Sequence, residues 1–188
     1  MRFIRFFAIP LVIAAGGCDD GIGPAFWDST PDSVTLFSIS RADLIGLPSA
    51  YDVIQLRPVT VENPAATGTW DFALAEQNGQ FVMVPAGSFG GITSRAGIAT
   101  LGPGSLDAVT EAPRDTARFS TAPVPIATGS IYVLRSRREG CGAFGGTGVR
   151  YAKLHAVAVD AATGTFRFAV VRNPYCNDRA LVPPEDED

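Results

Sequence analysis

The sequence has 188 residues, of which 46% are hydrophobic and 18% charged, with a net charge of −4. That apolar content excludes a disordered chain, and the acidic balance argues against a nucleic-acid partner. One histidine and three cysteines are too few for a Cys/His zinc centre, so no metal or cofactor is expected, and the length suits one domain with short extensions.

Read in chain order, the first element is an address. Arg2 and Arg5 precede an uncharged apolar run from Phe6 to Ala15, and small residues follow in Ala15-Gly16-Gly17-Cys18. The run is shorter than the roughly 20 apolar residues that a membrane-spanning helix needs, and it fits a secretory segment. These eighteen residues resemble a bacterial lipoprotein signal, in which small residues lead to a cysteine. The match departs from the family's pattern at Ala15, where Leu is most common. The resemblance implies cleavage before Cys18, acylation of Cys18, and a lipid-anchored protein of the bacterial cell envelope on its extracytoplasmic side. Cleavage would remove Arg2 and Arg5, leaving 171 residues with a net charge of −6.

Residues 19–33 are rich in Asp, Gly, Pro and Ser and read as a tether, with Phe26-Trp27 expected to dock on the domain surface. The organisation expected is therefore a signal peptide at 1–17, a lipidated cysteine and tether at 18–33, a β-rich domain at 34–182, and an acidic, disordered tail at 183–188.

Within the domain, Val34 to Ile39 is rich in strand formers. Ser40 to Gly46 reads as a helical turn with Ser40 as cap and Gly46 as stop. Tyr51–Leu56 and Val59–Glu62 read as short strands split by Pro58. Thr69 to Glu76 alternates, with Trp70, Phe72 and Leu74 expected on one face. Asn78-Gly79 then gives a type I′ turn into Phe81–Val84, so a hairpin is predicted. Ser105 to Glu111 reads as a short helix capped by Ser105 and ended by Pro113.

The last third reads as a meander of Ile131–Arg137, Tyr151–Val159 and Thr165–Val171, with Phe166, Phe168 and Val170 on one face. Many short strands with little helix predict an all-β fold, either a single antiparallel β-sandwich or an open β-barrel with one or two short helices. Cys141 and Cys176 form an even pair once Cys18 is set aside, and in an oxidising compartment such a pair reads as a disulfide. Spacing alone does not exclude two free thiols.

Chemistry-bearing features are few. Residues 135–179 carry Arg135, Arg137, Arg138, Arg150, Lys153, Arg167, Arg172 and Arg179 against Glu139, Asp160 and Asp178, a local charge of +5 that leaves −11 for the rest of the mature chain. Arg135, Arg137, Arg138, Arg150 and Lys153 are the candidate contacts for an anion or an acidic partner, unless they pair with carboxylates elsewhere in the domain. The Gly140–Gly148 loop has no Gly-Lys-Ser/Thr and is expected to join two strands, so it reads as a flexible loop pinned by Cys141.

Ala86-Gly87-Ser88-Phe89-Gly90 loosely resembles a nucleophile elbow, and His155 is the sole histidine, expected on a face with Tyr151 and Lys153. No catalytic residue is assigned. The strands between residues 129 and 171 resemble those of haem-binding bacterial lipoproteins, but that family grips haem with paired histidines and His155 is single. The tail segment Arg172–Arg179 is similar to segments of uncharacterised bacterial lipoproteins. The expected function is a non-enzymatic binding or envelope-interaction module, with an unidentified protein or small molecule as partner. The alternatives are a carrier with an apolar barrel cavity and, behind it, a small hydrolase.

Overall fold

A computed structural model describes residues 27–141 and 146–184 of the chain. The expected signal peptide, Cys18 and most of the tether lie outside these residues, as do the centre of the Gly-rich loop and Glu185–Asp188. Within them, Trp27 packs edge-on against Tyr175, with ring centroids 6.1 Å apart.

The hairpin is the element that local chemistry determines most directly. Strands β4 (Phe72–Gln77) and β5 (Gln80–Pro85) pair antiparallel around Asn78 and Gly79, whose φ values of 52° and 76° belong to a type I′ turn. Glycine and asparagine are the residues that adopt this left-handed pair of angles at little cost.

Ten of the twelve described strands form two five-stranded antiparallel sheets. The first has the order β1-β12-β11-β8-β6, built from β1 (Asp32–Phe37), β6 (Gly97–Pro103), β8 (Ser130–Arg135), β11 (Tyr151–Asp160) and β12 (Thr165–Arg172). The second has the order β3-β2-β4-β5-β7, adding β2 (Ala50–Asp52), β3 (Arg57–Val59) and β7 (Val124–Pro125). A small separate hairpin, β9 (Glu139–Cys141) with β10 (Gly146–Gly148), is inserted between β8 and β11. The sheets pack face to face, so the expected all-β sandwich is the fold, and the meander of the last third is β8, β11 and β12.

The core lies between the sheets. Phe166, Phe168 and Val170 point into it from β12, as alternation predicts, and meet Tyr51, Phe72, Leu74 and Met83 from the second sheet. Tyr51 stands edge-on to Phe168 at 5.3 Å, and Phe72 lies 6.0 Å from the same ring. Phe72 and Leu74 are 1% and 0% exposed, so the interior on this face is filled by side chains. Packing of this kind stabilises by about 25 cal/mol per Å² of apolar surface removed from water.

Trp70 departs from the expected alternation. It belongs to a second apolar cluster with Ala50 and Ala73 and stands 5.2 Å from Phe89, edge-on, rather than sharing a face with Phe72 and Leu74. Strand pairing begins only at Phe72, and the chain bends at Asp71. The Asp71 N–H donates to Tyr51 O at 2.8 Å, which turns the residue before it off the strand's two-residue period.

The other departures have similar causes. Ser40 does not cap a helix. Its Oγ accepts from Glu76 N (2.9 Å) and donates to Glu76 O (3.3 Å), and the local helix is a single 3-10 turn over Ala42–Leu44. Ser105 to Glu111 is a turn rather than a helix. Its backbone is committed elsewhere: Leu181 N donates to Thr110 O and Lys153 Nζ to Val109 O. Pro58 sits inside β3 rather than between two strands, and it is tolerated because β3 is an edge of its sheet.

Candidate anion-binding cleft

Five cations were singled out along residues 135–153, and the fold sends them to different places. β8 ends at Arg135, whose Cα partners are Tyr151 on β11 and Gly97 on β6. The side chains of Val133 and Tyr151 lie in an apolar cluster with Phe119 and Leu181, on the side of the first sheet away from the main core.

Arg137 goes inward. Its Nη1 lies 3.0 Å from Asp52 Oδ1 and 3.2 Å from Asp71 Oδ2, and its backbone N–H donates to Asp71 Oδ1 at 2.6 Å. Both carboxylates are all but inaccessible, with side chains 1% and 2% exposed. Asp52 also accepts from Ile54 N and Gln55 N, and Asp71 from Val53 N. Burial pushes the Asp71 carboxyl up to about 6, against the opposing pull of the Arg137 guanidinium and two backbone N–H groups. The cluster ties the end of β8 in the first sheet to β2 and β4 in the second.

Arg150 pairs with Glu139 and donates from Nε to Pro174 O at 3.0 Å. Lys153 is buried at 4% exposure and donates to Val109 O, and burial holds its ammonium below the ordinary lysine range. Neither side chain is free to meet a partner.

Arg135 and Arg138 remain, and the structure adds a third arginine. Arg95, Arg135 and Arg138 line one open cleft of about 550 Å³, together with Thr116, Phe119, Thr121, Thr147, Tyr151 and Asn177. Arg135 is fixed in place. Its guanidinium lies 5.0 Å from the centroid of the Phe119 ring, and its Nε and Nη2 donate to Arg95 O at 3.3 and 3.0 Å. Nη1 keeps its hydrogens unengaged among the described residues. Among the described residues, none of the three guanidiniums has a carboxylate within ion-pair distance and no acidic residue lines the cleft. Burial, and then the charges of Arg95 and Arg138, hold Arg135 below the usual arginine value despite a favourable contribution from Tyr151.

The far wall of the cleft is held by the disulfide. Cys141 and Cys176 are joined, with Cα atoms 5.9 Å apart, which connects β9 to the turn that follows β12. Asn177, at a positive φ of 59°, accepts Val149 N on its Oδ1 at 3.1 Å. Gly148 fits beneath this assembly because it lacks a side chain: a Cβ there would fall 2.5 Å from Cys141 Sγ and 2.6 Å from Asn177 Nδ2.

The remaining sequence candidates do not converge. Ser88 follows β5 in a 3-10 turn, and its Oγ donates to Thr121 O at 2.6 Å. His155 is on β11, opposite Ile131 and Ala169, and no hydrogen bond joins it to Ser88. An apolar hollow of about 320 Å³ lies beside Trp70, Phe89 and Ile92. Among the described residues no helix is long and apolar enough to cross a membrane.

Arg95 is the residue that sequence reasoning missed. It lies in a Gly- and Ser-rich stretch with no strand period, outside the cationic segment. The pairing of β6 with β8 brings it beside Arg135. Only that register, placing Gly97 against Arg135, would have pointed to it. No protein-family model matches this chain, and no curated protein matches its sequence.

Proposed function

We propose that this chain is a lipid-anchored binding module of a bacterial cell envelope, which engages an anionic partner through the cleft of Arg95, Arg135 and Arg138. The observation that carries the binding role is the grouping of three guanidiniums around one cleft, with no carboxylate beside them among the described residues. A cleft lined by charge of one sign raises the local concentration of anions. The anchor rests on residues 1–18, and the Cys141–Cys176 disulfide supports an oxidising compartment. The filled interior between the sheets supports a module that works from its surface rather than a carrier that works from its core.

Two measurements test this. Cells expressing the full chain and fed a labelled fatty acid should yield a labelled protein in the membrane fraction, and Cys18→Ser should be unlabelled; an unlabelled parent chain overturns the anchor. For binding, the purified protein should be retained on an immobilised anionic matrix in a salt-sensitive way, and charge removal at Arg95 and Arg138 together should release it at markedly lower salt. Equal elution of parent and double variant overturns the cleft as the binding surface.

A further inference from the structure

We infer that the ligand of the Arg95–Arg135–Arg138 cleft is a phosphate monoester with an organic group attached, an inference that rests on the anion-binding reading above. The argument is one of stoichiometry and shape. A carboxylate carries one charge on two oxygens, and a single guanidinium satisfies it in a bidentate pair. Three guanidiniums around one cleft match a group with about two charges and several oxygens, which a phosphate monoester supplies above its second pKa of about 6. Arg135 is a fixed member of the set, since Nε and Nη2 are held by Arg95 O and its face by Phe119. Both hydrogens of Nη1 and the second hydrogen of Nη2 are left to donate among the described residues. Arg95 and Arg138 are exposed and have no charged partner among the described residues, so both are available to an anion in the cleft.

The size of the cleft points to more than a bare ion. A volume of about 550 Å³ lies within the range of roughly 300–1,000 Å³ usual for small-molecule sites. The lining also has neutral members: Phe119 and Tyr151, with ring centroids 5.8 Å apart, and Thr116, Thr121 and Thr147, which add hydroxyls. The attached group can therefore lie against these neutral side chains while the phosphate meets the guanidiniums. Such an ester reaches an extracytoplasmic protein either as a free small molecule or as the headgroup of an anionic lipid.

The experiment uses the full-length lipidated protein in non-ionic detergent at pH 8, titrated by calorimetry. Phenyl phosphate represents the free ester, dihexanoyl phosphatidic acid the lipid headgroup, and benzoate the single-charge control. Phenyl phosphate should bind at least about tenfold more tightly than benzoate, and Arg138→Ala should weaken it by about tenfold, the usual loss for one charge-assisted hydrogen bond. Arg138 is exposed and has no charged partner among the described residues, so this variant is expected to fold; Arg135→Gln, which also disturbs Phe119, serves as the second probe. Tighter binding of the phosphatidic acid than of phenyl phosphate assigns the lipid source, and the reverse order assigns the free ester. Benzoate binding as tightly as phenyl phosphate, with both weakened by Arg138→Ala, overturns the phosphate assignment and leaves the anion-binding reading standing. No binding of any of the three overturns both.

Discussion

Arg137 and Arg138 are neighbours in the chain and opposites in the fold. Arg137 is held between two buried carboxylates, Asp52 and Asp71, and joins the sheets. Arg138 is exposed at a cleft where neither it nor its companions Arg95 and Arg135 meets a carboxylate among the described residues. The same side-chain chemistry thus serves as a fastener at one position and as an open surface at the next. What separates them is the direction in which the backbone presents each residue after β8 ends. A count of charges along the sequence is blind to that direction.

The comparison can be broken or sharpened experimentally. The largest effect is expected for Arg137→Met. Removing the cation leaves Asp71 buried without an ion pair and Asp52 with only the exposed Arg57, 4.0 Å away, among the described residues, and the loss should be about 3–5 kcal/mol at pH 7.5 by urea unfolding. The sign of the pH dependence is diagnostic. The Asp71 carboxyl already stands at about 6 when folded, above its unfolded value, so the native state binds more protons and stability from this group falls as pH rises through that window. Without Arg137 the effect should grow, and the variant should recover stability as pH is lowered from 7.5 to 5. A flat pH profile would mean that the cluster is not the fastener described.

Next comes the disulfide. Replacing Cys141 and Cys176 by Ser should cost about 2–4 kcal/mol, since the cross-link restrains the unfolded chain. Reducing the parent protein should shift its unfolding midpoint in the same direction. Gly148→Ala should cost about 1–3 kcal/mol from crowding against Cys141 and Asn177, and it should also weaken anion binding because it displaces the cleft wall. Full stability in this variant would show that the wall has room the structure denies it. The smallest effect is expected at Arg138→Ala, which should change stability by less than about 0.5 kcal/mol. A large loss there would erase the contrast with Arg137.

The fold was legible wherever local chemistry decided it. Asn78-Gly79 specifies its turn through backbone angles alone, and the alternation of Phe166, Phe168 and Val170 holds because β12 is paired on both sides throughout that stretch. Trp70 was misread because alternation was extended past the end of strand pairing. The helix expected at Ser105–Glu111 fails for a tertiary reason: Leu181 and Lys153 donate to that segment's carbonyls, at Thr110 and Val109. The site was legible in part. Arg135 and Arg138 stood out by density of charge. Arg150 and Lys153 did too, yet their partners, Glu139 and the Val109 carbonyl, take them out of play. Arg95 could not be found, since its relevance depends on the pairing between β6 and β8 rather than on its neighbours in sequence.

The prolines at the margins of the second sheet have a consequence for behaviour in company. β3 carries Pro58 at one edge, and β7 is only two residues long and contains Pro125 at the other. A residue without an N–H interrupts the row of donors that another molecule's strand would need, and a very short edge offers little length to grip. Copies of this domain can therefore be packed at high density with little tendency for this sheet to extend from one molecule into the next.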